Sequence, residues 1–290
     1  MSISAPLFRG THLVKEFGSH GGLLGRGTAF RAVDDVSLEV RRGETLAIVG
    51  ESGSGKSTTA RLVARLMDVT SGTLEFEGEE VTHAEGARLR AFRGAVQVIF
   101  QDPYSSLNPK HTVERLVTAP LVYQGRKIPG GARRFTRDIM ARVGLNPDHS
   151  ERYPSQFSGG QAQRIGIARA LAVSPKLVVC DEAVSALDVS VQAQIINLLK
   201  DLQSQEGFGY LFIAHDLAVV RQIAHRIAVM SQGRIVESGL RDEVFDHPQD
   251  EYTKTLLSAI PRIDPEWDRR RRAAQAARAH TAENTEASAS

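Results

Sequence analysis

GESGSGKST, residues 50 to 58, sets glycines at 50, 53 and 55 ahead of a lysine and two hydroxyls. The spacing fits G-x-x-x-x-G-K-[ST], a loop whose backbone N–H groups turn inward around an anion with no Cβ in the way. In that pattern Gly50, Glu51, Ser52, Gly53, Ser54, Gly55, Lys56, Ser57 and Thr58 cradle the phosphates of a nucleotide such as ATP. Lys56 supplies a point charge to the β and γ phosphates, and the Ser57 hydroxyl can ligate Mg²⁺. The plain alternative is a glycine-rich turn with an exposed lysine.

A second phosphate-seeking element lies a hundred residues on. FSGGQAQRIGIARAL (157–171) reads as a helix start. Ser158 is a suitable N-cap and Gln161 completes a capping box. Gly159 and Gly160 would leave bare amides at the positive end of the helix dipole, which suits an anion. Capping alone also accounts for Ser158 and Gln161.

Acids and single polar residues follow apolar runs. KLVVCDEAVSALD (176–188) ends in two carboxylates. Beside a phosphate loop, Asp181 would hold Mg²⁺ and Glu182 would accept a proton from attacking water. Alternation along a strand would point the two to opposite sides. Gln101 and His215 each come just after a run of this kind (QVIFQ and LFIAH). In open α/β sheets ligands sit at the carboxyl ends of strands. A structural hydrogen-bonding role is the alternative for each.

These residues need a sheet to position them. Apolar runs at 45–50, 95–100, 176–180, 210–214 and 226–230 read as buried strands, and helical periodicity intervenes, which is the α/β pattern. A helix is expected over 57–67 with Leu62, Val63 and Leu66 on one face. Another is expected after Asp188, with Val191, Ile195, Leu198, Leu199 and Leu202 in phase. Between Gln101 and Phe157 the texture is mostly helical, as in an inserted subdomain. No apolar run approaches the ~20 residues of a membrane span, and the N-terminus lacks a signal-peptide layout. A cytoplasmic location is therefore expected. The single cysteine, Cys180, excludes an internal disulfide. The net charge of +2 argues neither for nor against an acidic partner.

The ordered set GESGSGKS, Gln101, FSGGQ, LVVCDE, SALD and His215 closely resembles the ATPase subunits of ABC transporters, from about Leu7 to Pro265. QDPYSSLNPK (101–110), the insertion GGLLGRG (21–27) and GRIVESG with VFDHPQDEYTKTLLSAIP (within 233–261) resemble the oligopeptide and dipeptide import branch. That branch also serves nickel, glutathione and other small solutes. The resemblance implies an α/β fold: a P-loop NTPase core of the ABC type with an N-terminal antiparallel β subdomain and an inserted helical subdomain at about 102–170. It implies a domain over 1–266, with a C-terminal extension at about 240–266. Residues 267–290, with RRRR at 269–272, read as a solvated, disordered tail.

The resemblance also implies roles. Two such subunits pack head to tail, and each ATP lies between one subunit's phosphate loop and the other's SGGQ. Gln101 would sense Mg²⁺ and attacking water and couple to the membrane subunit. His215 would meet the γ-phosphate, and Asp188 of SALD the dimer seam. An aromatic residue would stack on adenine; Phe17 is the candidate, Phe30 its rival, and burial of both in the core the alternative. Ala183 stands where the family has proline, and Ala162 where a basic residue is common. The implied partners are a second ATPase subunit, identical or homologous, two membrane permeases and an extracytoplasmic solute-binding protein, with no nucleic acid. The chain would sit peripherally on the cytoplasmic face of the membrane. Two rivals remain: a non-transport ATPase of the family, which would carry long coiled coils or two fused halves not seen in this sequence, and a nucleotide-binding regulator without turnover.

Overall fold

The computed structural model describes residues 5–18 and 30–258. GGLLGRG, the residues from 259 onward, RRRR and the tail lie outside the described residues.

The chain opens with strands β1 (Phe8–Phe17), β2 (Phe30–Val40) and β3 (Thr45–Val49), then helix α1 (Lys56–Val63). Strands β4 (Ser71–Phe76) and β5 (Glu79–Glu80), helix α2 (Gly86–Ala95) and strand β6 (Val96–Ile99) follow. Next come helices α3 (Pro103–Ser106), α4 (Val113–Tyr123), α5 (Ala132–Arg142) and α6 (Gly159–Leu171), with no strand among them. The remainder is β7 (Leu177–Asp181), α7 (Val189–Glu206), β8 (Gly209–Ile213), α8 (Leu217–Ile223), β9 (Arg226–Ser231), β10 (Arg234–Leu240), α9 (Arg241–Asp246) and α10 (Glu251–Ser258).

Two sheets result. The first is antiparallel, in the order β2-β1-β4-β5, and the second runs β10-β9-β3-β8-β7-β6 with only the β9–β10 pairing antiparallel. Strands β3, β7 and β8 are buried at every residue, as expected when both faces of a parallel sheet are covered. Alternation sends their side chains into two cores. Ala47, Val178, Cys180, Tyr210 and Phe212 join the core shared with α4–α8, whereas Leu46, Ile48, Val179, Leu211 and Ile213 join α1, α2 and the first sheet.

Burial pushes the Cys180 thiol well above its usual range, so it stays protonated inside the first of these cores. Among the described residues no helix is long and apolar enough to cross a membrane.

Helix α1 is shorter than its periodicity suggests. It stops at Val63, and Leu66 lies half-exposed outside it. Arg65 takes φ +51°, the Leu66 amide bonds Arg61 O at 2.9 Å and the Arg65 amide bonds Leu62 O at 3.0 Å. That is a left-handed helix stop, usually the place of glycine. Arg65 tolerates it because its guanidinium is fixed by Asp68 and by Ala84 O.

Candidate functional site

The phosphate-loop residues bridge β3 and α1. Gly55 is the N-cap of α1 with φ +104°, and a Cβ there would meet Ala32 O at 2.2 Å. Only glycine fits both the angle and the space. Ser52 and Gly53 are exposed at the loop's tip, and Ser54 and Lys56 are buried. The turn after β9 braces the loop, with the Gly233 amide on Ser54 O at 3.0 Å. Lys56 Nζ curls back to donate to Gly50 O (2.8 Å) and Glu51 O (2.6 Å). Burial lowers the Lys56 pKa, and the charges of Glu182, Asp181 and Glu51 work against that shift. The loop therefore holds a partly desolvated cation, wrapped in its own carbonyls and available to an anion.

Strand order lines up the rest. In β3-β8-β7-β6 the carboxyl ends carry, in turn, the loop, His215, the Asp181–Glu182 pair and Gln101. Parallel register makes them neighbours: Ile48 pairs with Ile213, Asp181 with Ile213, and Ile99 with Cys180. Ser57 Oγ donates to Asp181 Oδ1 at 2.7 Å across this edge. Glu182 is a correction to the expected strand alternation. β7 ends at Asp181, and Glu182 takes φ +52°, so a backbone turn re-aims its side chain. The Glu182 amide donates to Ile213 O at 3.1 Å, which fixes that turn. Its Oε2 lies 3.7 Å from His215 Nδ1, too far for a direct hydrogen bond. His215 is exposed, 57% at the side chain.

FSGGQ belongs to the helical stretch. Ser158 Oγ accepts the Gln161 amide at 3.4 Å, and Gln161 Oε1 accepts the Ser158 amide at 3.0 Å, a reciprocal cap. Among the described residues, the amides of Gly159 and Gly160 find no acceptor. Gly160 packs close: a Cβ there would strike Val191 Cγ1 at 2.5 Å, whereas one on Gly159 meets only Leu187 at 3.8 Å. Among the described residues, no hydrogen bond or ion pair joins 50–58 to 158–161. Asp188 is exposed and caps α7 through the Val191 amide (2.9 Å). Ala162 is fully buried. Ala183 is buried too.

Gln163 was not singled out from the sequence. It is 1% exposed, and its Nε2 donates to Ala183 O (2.6 Å) and Phe100 O (3.3 Å). It ties α6 to the segments carrying Glu182 and Gln101. A polar residue in the buried stripe Ala162–Ile167 is the signal that marks it. Tyr104 Oη donates to Phe157 O (2.8 Å) and Arg169 to Ser106 O (2.6 Å), which clamp the segment after Gln101 onto α6 and the residue before its N-cap. Gln101 itself is exposed. Beside it opens a groove of about 680 Å³, bordered by Leu66, Arg90, Arg93, Phe100, Pro120 and Tyr123.

Phe17 and Phe30 face each other across β1 and β2 as register partners, 41% and 63% exposed. Core burial is therefore excluded for both. Lys15 Nζ lies 5.6 Å from the Phe17 ring centroid.

The fold and this sheet edge define a nucleotide-binding cassette, and the chain belongs to the ABC transporter family, whose model matches residues 33–185. Residues 236–286 match the oligopeptide/dipeptide transporter C-terminal region. The chain is 50% identical over 269 residues to the glutathione import ATP-binding protein GsiA of Escherichia coli (strain K12), covering 92% of this chain and 43% of that protein. It is 49% identical over 261 residues to GsiA of Pectobacterium atrosepticum, covering 90% and 42%. The chain thus spans less than half the length of these relatives. Among solved structures, the dimeric ATP-binding cassette MJ0796, in a post-hydrolysis state bound to ADP and Pi, matches with TM-score 0.70 and 28% identity, covering 81% of this chain and 98% of that one. CbiO1 of Clostridium perfringens, part of the cbiONQ transporter complex, matches with TM-score 0.71 and 25% identity, covering 89% and 97%.

Proposed function

We propose that this chain is the ATP-binding and ATP-hydrolysing subunit of an importer for short peptides, glutathione included. The observation that carries the reading is the single sheet edge that aligns the loop, His215, Asp181–Glu182 and Gln101. Glutathione is itself a tripeptide, so the relatives' name and the peptide-type C-terminal match favour one solute class.

On this reading Lys56 leaves Glu51 O for the β and γ phosphates when ATP binds. Glu182 accepts a proton from the attacking water, and His215 donates to the γ-phosphate. Ser57 and Asp181, already 2.7 Å apart, form an oxygen-only pair that suits Mg²⁺, with Gln101 nearby on the adjacent strand end. Mg²⁺, when bound, would neutralise phosphate charge. Among the described residues no group of three or more His, Cys, Asp or Glu could hold an ion by itself, so phosphate oxygens would complete its shell.

The acceptor-free amides of Gly159 and Gly160 would serve the ATP of a second cassette, identical or homologous, with Asp188 at the seam. Of two membrane permeases, one would dock at the groove beside Gln101, where Leu66, Phe100 and Tyr123 are exposed, and the other at the second cassette. A solute-binding protein would deliver the solute from outside, and this chain would sit on the cytoplasmic face.

Gln101 gives the test. In vesicles holding the complete complex, Gln101→Ala should lower ATP-driven uptake of glutathione or a dipeptide several-fold more than it lowers basal ATPase activity. Equal losses would confine Gln101 to the chemistry. No ATP-dependent uptake of either solute by the unaltered complex would overturn the solute assignment.

A further inference from the structure

We propose that Tyr252 is a positioning residue of the phosphate loop and acts through the Glu51 amide, an inference that rests on the ATP-binding reading of that loop. The Tyr252 hydroxyl accepts the Glu51 N–H at 3.0 Å. Among the described residues, no other hydrogen bond joins residues 241–258 to residues 50–58.

The C-terminal strap is built to hold that hydroxyl in place. Glu237 on β10 accepts the amides of Gln249 (2.9 Å) and Asp250 (3.1 Å), which fixes the approach to α10. Burial opposes ionisation of Glu237, yet the Gln249 amide, Thr253, the Asp250 amide and the Lys254 charge together outweigh it and hold the carboxyl below its usual range. Asp250 Oδ1 then caps α10, accepting the amides of Tyr252 (2.8 Å) and Thr253 (3.3 Å). Thr253, Leu256 and Leu257 close over a small space shared with Val49 and Val244. Val49 is the last residue of β3, directly before Gly50, so α10 packs under the root of the loop.

The bond matters because of what the Gly50–Glu51 segment holds. The Glu51 N–H shares a peptide group with Gly50 O, which accepts Lys56 Nζ at 2.8 Å, and the Glu51 carbonyl accepts Lys56 Nζ at 2.6 Å and the Ser54 amide at 3.2 Å. A phosphate needs Lys56, so binding takes that donor from Glu51 O. The Tyr252 bond competes with no phosphate contact made by Lys56 and can persist. It keeps the Gly50–Glu51 backbone aligned while the lysine transfers. Without it the Glu51 amide turns to water, and the loop must be ordered at the expense of ATP affinity.

The experiment uses the full chain. Tyr252→Phe keeps the ring packing and removes only the acceptor. The expected result is an ATP Kd and KM raised about 3- to 10-fold, the size of one neutral hydrogen bond, with kcat and Tm essentially unchanged. Glu51→Pro deletes the N–H and sets a ring carbon against the hydroxyl. In that background Tyr252→Phe should no longer weaken ATP binding. Unchanged ATP affinity in Tyr252→Phe, or additive effects of the two substitutions, would overturn the proposal. If Glu51→Pro does not fold, the single variant decides. Lys56→Ala separates the two readings. If Lys56→Ala weakens ATP binding and Tyr252→Phe does not, this proposal alone fails; if Lys56→Ala leaves binding intact, the loop reading fails and takes this one with it.

Discussion

Glu182→Gln should slow ATP hydrolysis by roughly 10²- to 10⁴-fold, the range for loss of a general base, and leave ATP binding in place. The substitution is nearly isosteric. The backbone bonds that fix the turn, from the Glu182 amide to Ile213 O and from Ser185 Oγ to Glu182 O, do not involve the side chain. What changes is the ability to take a proton. Glu182 is half-buried and turned out of the strand by its positive φ, which leaves Asp181 to Ser57 and frees Glu182 for water. On the proposed two-cassette reading closure needs ATP but not turnover, so the ATP-bound dimer should also accumulate. Phosphate release from the assembled complex, with sedimentation of the ATP-bound species, checks both. Hydrolysis at the unaltered rate would mean that Glu182 is not the base.

Lys56→Ala should weaken ATP binding by about 10- to 150-fold, corresponding to about 1.5–3 kcal/mol for a hydrogen bond to a charged group. Lys56 is 5% exposed and already partly desolvated, so its charge is poorly screened when a triphosphate arrives. Alanine also takes a donor from Gly50 O and from Glu51 O, so a Tm measurement must accompany the titration. Equilibrium binding of a fluorescent ATP analogue reads the effect. Unchanged affinity in a folded variant would remove the phosphate-loop assignment.

Much of this site was legible because its signals are local. The glycine spacing before Lys56 and the Ser158–Gln161 capping box depend on backbone geometry within a few residues, and the structure contains both. The buried strands were legible from apolar runs bounded by polar residues. What escaped was set by distant partners. Leu66 continued the helical period, but Arg65 ends α1 in a left-handed turn secured by Asp68 and Ala84 O, with no glycine to announce it. Glu182 leaves the strand pattern through a bond to the neighbouring strand. Gln163 and Tyr252 draw their significance from carbonyls and an amide that lie 20 to 201 positions away in the chain, which no spacing rule reaches. Phe17 and Phe30 were expected as alternatives and prove to be cross-strand partners, a pairing fixed by the register of β1 and β2.

On the proposed reading the loop at 50–58 and the FSGGQ helix start serve different ATP molecules. Gly159→Asp tests it well. A side chain there has room beside Leu187, and an acid in the first turn suits a helix, so folding should be kept. The same acid repels phosphate. Pairs of differently tagged cassettes allow two arrangements. With Gly159→Asp on one chain and Lys56→Ala on its partner, both lesions fall in one shared site and the other site stays whole. With both substitutions on the same chain, each site carries one lesion. Steady-state ATPase activity should be clearly higher in the first arrangement than in the second. Equal activity in the two arrangements, with every chain folded, would contradict the shared site.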